Sequence, residues 1–303
     1  MEGLNGTAAS VLSSGASYTV PLTFFSLIIC VFGLVGNGIL LCLLFFKVKK
    51  NQFTFYVLNL SIADFTFLFG LSVWFIYLVC IFYGMSNSNH VTNLLACFCS
   101  LLYHFGFNSG IYLLTVIGLE RCFAVLYPLW YQCKRPNNLG VYVCIAMWML
   151  SILVTGLDEF VCGNGKQYLL PGSEDCTNIN FFTSALYVCV VCIMLLSSVT
   201  LLYDIQKAPL RCHSPRLYIV IIASMTVFLL SVVPARILGL LIYFNILKSE
   251  KYVFSTFFIT SISSALNCSA NPYIYTIAAR WGKNLCQGSS MKNALENMFK
   301  EAT

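Results

Sequence analysis

Seven long apolar segments separated by short polar connections dominate the chain, at residues 20–46, 53–82, 94–127, 139–157, 179–203, 216–247 and 252–279. Each is close to, or longer than, the roughly 20 helical residues that cross a hydrocarbon core of about 30 Å. Lipid offers no partner to a backbone N–H or C=O, so segments of this length must pair their own backbone as helices. The fold class is therefore an all-α membrane protein, a seven-transmembrane helix bundle. A composition of 59% hydrophobic and 9% charged residues, with mean hydropathy +0.82, excludes a water-soluble domain of 303 residues. With no internal repeat or low-complexity stretch, one bundle is expected over residues 20–279, between an N-terminal segment (1–19) and a tail (280–303).

The basic residues orient the bundle. Of the 17 Lys and Arg residues, all but Lys166, Lys248, Lys251 and Arg236 fall at or beyond the ends shared by segments 1, 3, 5 and 7. Loops rich in Lys and Arg stay cytoplasmic, so the N-terminus is expected outside and the C-terminus inside a multi-pass plasma-membrane protein. The net charge of +6 reflects this bias and does not indicate a nucleic-acid partner. The first segment is too long for a signal-peptide core and is followed at once by lysines, so it is expected to act as an uncleaved anchor. Asn5-Gly6-Thr7 is a glycosylation sequon on the outer side. After segment 7, Arg280-Trp281-Gly282-Lys283 opens a short amphipathic helix at the bilayer surface, with Cys286 a candidate for palmitoylation or a free thiol.

Polar groups at membrane depth are costly and mark functional positions. Asp64 lies in the middle of segment 2, with Asn37, Asn267 and Asn271 as expected partners. The group reads either as a water-bridged knot that holds helices together or as a carboxylate that binds Na⁺ or a proton in one state and releases it in the other. Beyond a Na⁺ ion here, no cofactor is expected. Glu120-Arg121 closes segment 3 on the cytoplasmic side, where the acid is expected to hold the guanidinium until a partner takes it. The alternative is an interfacial arginine reaching the headgroups. Pro234, and Asn271-Pro272-x-x-Tyr275, put breaks in segments 6 and 7, since proline removes a backbone hydrogen bond.

The 15 cysteines are mostly intramembrane. Cys162 and Cys176, with Cys97 and Cys99, are those near the outer loops, where oxidising conditions allow disulfides.

In combination Gly36-Asn37, Leu60-x-x-Ala63-Asp64, Glu120-Arg121-Cys122, Pro234 and Asn271-Pro272-x-x-Tyr275 resemble the rhodopsin-like class of G-protein-coupled receptors. Glu120 through Cys133 and Asn267-Cys268-Ser269-Ala270-Asn271-Pro272 are similar, within it, to the Mas-related receptors. Val232, where the class has an aromatic residue before the segment 6 proline, and a fifth segment without proline, agree with that placement. The resemblance implies a receptor for an extracellular small-molecule or peptide ligand. It also implies activation of a heterotrimeric G protein by helix rearrangement, arrestin as a further partner and no enzymatic activity. It implies a Cys162–Cys176 disulfide joining segments 4 and 5, with pairing through Cys97 or Cys99 as the alternative. Arg211 and Arg216 fall where the G protein would contact the third inner loop.

The resemblance also frames the ligand. No lysine lies between Val253 and Ala279, which excludes a retinal Schiff base, and Tyr103-His104 stand where monoamine receptors carry an aspartate. The outer connections are acidic, with Glu2, Asp158, Glu159, Glu174, Asp175 and Glu250 against Lys166, Lys248 and Lys251, a field that draws in cations. In related receptors an acid four residues before the bridge cysteine anchors cationic ligands. Asp158 holds that position, Glu159 adjoins it, and Asn180 replaces a second family acid. Arg236 is expected to meet a ligand carboxylate or to neutralise Asp158 or Glu159. Tyr103, Phe107, Tyr112, Trp148 and Tyr243 are candidate aromatic walls. The expected ligand carries an amine and is a small molecule or a peptide. A constitutively active or decoy receptor is the second reading. A transporter is weaker, because repeat symmetry and paired broken helices are missing.

Overall fold

The computed structural model describes residues 2–46, 48, 51–83, 90–136, 138–162, 174–207, 215–243, 250–280 and 295. The helices are α1 (Glu2–Phe46), α2 (Gln52–Phe82), α3 (His90–Leu126), α4 (Pro128–Cys133), α5 (Leu139–Leu157), α6 (Glu174–Lys207), α7 (Pro215–Tyr243) and α8 (Glu250–Arg280). The seven expected segments correspond to α1, α2, α3, α5, α6, α7 and α8, and most ends lie within a few residues of the sequence expectation.

Two elements were not legible in the sequence. Tyr127 leaves helical geometry, and Pro128 then starts the six-residue helix α4, a position where its missing N–H costs nothing. At the other end of α5, residues Asp158–Cys162 widen into a π-helical turn. The helical part of α1 also extends back to Glu2 rather than beginning near residue 20, although its apolar stretch does begin at Val20.

Among the described residues six helices, α1, α2, α3, α5, α6 and α7, are long and apolar enough to cross a membrane. The remaining expected segment, α8, is 31 residues long and not among these six, and it carries Thr256, Ser261, Ser264, Asn267, Ser269 and Asn271 among its buried residues. Its polarity is thus turned inward, toward the neighbouring α1, α2 and α7. Large apolar side chains such as Phe32, Phe46, Leu129, Leu196 and Leu230 cover the outside, which suits a surface facing lipid. In α3, 78% of the most apolar stretch is buried, against at most 44% in the other spans, so α3 is the central helix.

Glycine sets two close approaches. A Cβ at Gly106 of α3 would collide with the backbone of Phe67 in α2. One at Gly36 of α1 would lie 2.9 Å from Pro272 Cγ of α8, so the Asn-Pro break is seated against α1.

Candidate functional site

Three polar clusters lie along the bundle axis. The first is at the disulfide end. Cys162 and Cys176 are bonded, with Cα atoms 5.0 Å apart, and tie α5 to α6 as the resemblance implied. In the chain-entropy account, closing a loop of this length contributes about 3 kcal/mol. Cys97 and Cys99 are free thiols.

The π-helical turn before Cys162 presents two successive acids to different neighbours. Ser100 donates to Glu159 Oε1 (2.9 Å), and His104 Nε2 lies 3.8 Å from the same oxygen, so Glu159 is tied to α3. Asp158 instead lies within electrostatic reach of Arg236 and Tyr112. Arg236, from α7, lays its guanidinium over the Phe107 ring at 4.3 Å, with Tyr103, Tyr112 and Tyr187 near enough to feel its charge. Asp158 Oδ1, Arg236 Nε, Tyr187 Oη and Trp74 Nε1 are buried without a hydrogen-bond partner among the described residues. Such groups cost free energy until something pairs with them.

Of the expected site residues, Asp158, Glu159, Arg236, Tyr103, Phe107 and Tyr112 are brought together. Two others have different partners. Asn180 caps the disulfide, its amide donating to Cys176 O (3.0 Å) and lying 3.4 Å from Cys176 Sγ. Trp148 donates to Asn59 Oδ1 (3.0 Å) and packs 5.3 Å from Phe105, joining α5 to α2 and α3. The side chain of Tyr243 lies outside the described residues. Trp74, Tyr187 and Ser100 were not singled out in the sequence, because nothing in their spacing separates a cavity residue from a packed one.

The second cluster is midway along the bundle. Asn271 Nδ2 donates to Asp64 Oδ2 (2.7 Å), and the Cys268 thiol also bonds Asp64. Asn37 donates to Gly33 O and Cys268 O, at 3.0 and 3.1 Å, so it braces α1 on α8 rather than touching Asp64. The amide oxygens of Asn37, Asn267 and Asn271 and the hydroxyl of Tyr275 are buried without partners among the described residues. The Asp64 carboxylate and the unpartnered amide oxygen of Asn271, which is hydrogen-bonded to it, are oxygen donors of the kind hard cations take.

The third cluster is at the opposite end and differs from expectation. Glu120 is engaged by Arg135 Nη2 (2.5 Å) and by the Tyr56 hydroxyl (2.6 Å). Its ion pair is therefore with Arg135, two residues past the end of α4, not with the adjacent Arg121. Arg121 lies 4.6 Å over the Phe53 ring and donates from Nη2 to Tyr131 Oη (3.1 Å). The same phenol oxygen accepts from Arg135 Nη1 at 2.9 Å. Burial pushes the Tyr131 phenol above its ordinary pKa, which keeps it neutral between the two guanidinium groups. Tyr218 of α7 is within electrostatic reach of Arg121 and Tyr131. Arg135 was visible in the sequence only as one more inner cation. Arg211, Cys286, the amphipathic helix and the side chains of Asn5 and Arg216 lie outside the described residues.

Among the described residues no group of three or more His, Cys, Asp and Glu side chains is arranged to hold a metal ion. What the bundle contains is an axis of polar clusters joined by α3 and α7. Residues 36–275 match the family described as 7 transmembrane receptor (rhodopsin family). The chain is 35% identical to mouse Proto-oncogene Mas, over 97% of its own length and 89% of that protein. It is 32% identical to mouse Mas-related G-protein coupled receptor member H, over 94% and 86% of the two chains. With the human Mas-related G-protein coupled receptor member D it shares 30% identity, over 98% and 90%. The chain therefore belongs to the rhodopsin family of seven-transmembrane receptors, within its Mas and Mas-related group, and is a multi-pass plasma-membrane G-protein-coupled receptor rather than an enzyme.

Proposed function

We propose that this receptor takes an extracellular amine-bearing small molecule or peptide at the disulfide end and signals through a heterotrimeric G protein at the Arg121 end, with the N-terminus outside and the tail in the cytoplasm. The observation that carries the reading is the buried pair of unpartnered atoms, Asp158 Oδ1 and Arg236 Nε, of opposite charge and beside the Phe107 face. A ligand cation satisfies Asp158, and an acceptor group on the ligand satisfies Arg236. Either contact repositions α7, which carries Arg236, Pro234 and Tyr218 on one helix. The 18 residues from Arg236 to Tyr218 span about 27 Å of helix, so a small tilt about Pro234 is carried to the Arg121 cluster. The ligand drives this change only by its differential affinity for the two arrangements.

Asp158→Asn keeps the shape and removes the charge. With a panel of amines, amino acids and basic peptides, agonist potency is expected to fall roughly 100-fold at matched surface expression, as for loss of one partner of a desolvated charge pair. Undiminished potency would show that Asp158 is not the anchor.

The Asp64 cluster is the candidate site for Na⁺, held by the carboxylate and the Asn267 and Asn271 amide oxygens. A cation bound there favours the closed bundle, so replacing external Na⁺ with a large organic cation is expected to raise agonist potency. Asp64→Asn should remove that dependence. The same potency in both media would leave the cluster as an interhelical knot. Arrestin and the bilayer complete the proposed partners, with glycosylation at Asn5 and palmitoylation at Cys286 as proposed modifications.

A further inference from the structure

Arg121 is only 3% exposed, so in this arrangement its guanidinium is not presented to a cytoplasmic partner. Three aromatic residues lie against it, Phe53 with its ring below it, Tyr131 hydrogen-bonded to it and Tyr218 of α7 nearby. The acid beside it in sequence is taken. Glu120, 7% exposed, accepts from both Arg135 and Tyr56. Arg135 in turn stacks on the Tyr131 ring at 4.5 Å and bonds its hydroxyl, so one side chain is fixed by a charge at one face and a ring at another. Helix α4 makes this possible, because starting at Pro128 it turns the chain back under α3 and returns Arg135 to Glu120 across 15 residues.

We propose that Arg135 is a positioning residue of the inner gate, which occupies Glu120 and keeps that carboxylate off Arg121. With Glu120 engaged elsewhere, the aromatic contact of Phe53 and the neutral phenol of Tyr131 take part in holding Arg121, and each is weaker than that carboxylate would be. A partner can withdraw it once α7 carries Tyr218 away. Lys would keep the charge but lose the planar fork that serves Glu120, Tyr131 and the ring together.

Removing Arg135 frees Glu120 to capture Arg121, which closes the gate more tightly. The test is ligand-free nucleotide exchange on a panel of Gα subtypes, with purified receptor in nanodiscs. Arg135→Ala is expected to fall about tenfold below wild type, the effect of moving one charge-assisted hydrogen bond between states. Arg135→Lys should lie between them. The doubly substituted Arg135→Ala/Glu120→Gln receptor, which has no acid left to capture Arg121, should return to wild-type exchange or above. A purely structural loss at Arg135 would not be repaired by that second change. Exchange by Arg135→Ala equal to or above wild type would overturn the assignment, as would a double variant no better than the single one.

Discussion

Receptor carrying Gly106→Val is expected to fail to reach the cell surface. Gly106 sits where α3 crosses α2, and an added Cβ would collide with Phe67 N and lie 2.8 Å from Phe67 Cα and 2.9 Å from Ala63 O. Those are backbone atoms, which cannot rotate aside as a side chain can. The two helices would have to separate at the level of Phe67, Phe107 and Asp64, around which much of the core is assembled. Overpacking of a tight core costs about 1–3 kcal/mol, and more where backbone must move. Shifts of about 1–2 kcal/mol already change cellular abundance several-fold. Gly38→Val is the control, because a Cβ there meets only Phe65 Cε2 at 3.8 Å, an ordinary contact. Surface labelling of both variants should show loss for the first and near-normal levels for the second. Equal surface levels would contradict the close α2–α3 approach.

The bundle was legible because lipid leaves the backbone few choices, and apolar length therefore reports helices directly. Asp64 and Asn271 were legible for a related reason: a carboxylate and an amide at membrane depth must find each other or another polar group, and here they do, at 2.7 Å. Arg236 followed from the same cost and Asp158 from family position, whereas Phe107 was one of five candidate aromatic walls with nothing in the sequence to set it apart. The partner of Glu120 was not legible. Adjacency in sequence favoured Arg121, but consecutive helical residues point about 100° apart, and a residue 15 positions later returns on a short helix that periodicity does not reveal. Trp148 shows the converse. An aromatic residue in an apolar helix looks alike whether it lines a cavity or packs between helices, and only Asn59 and Phe105 identify it as packed. Asn180, read from family position, was claimed by the disulfide beside it.

The second large effect concerns Arg121 itself. Its substitution leaves Glu120 with both of its partners, Arg135 and Tyr56, so the fold should survive. What is lost is the five-donor fork that the opened bundle would offer a G protein. Alanine supplies neither the charge nor the donors, and no neighbouring cation takes the same position, because Arg135 is committed to Glu120 and Tyr131. Receptor with Arg121→Ala is therefore expected at normal surface levels but without coupling. The direct test is G-protein activation in cells expressing wild type and Arg121→Ala at matched surface density, without ligand and across amines, amino acids and basic peptides. Basal and ligand-driven signals that are present in wild type and absent in the variant are the predicted result. A variant that signals as strongly as wild type would contradict the account.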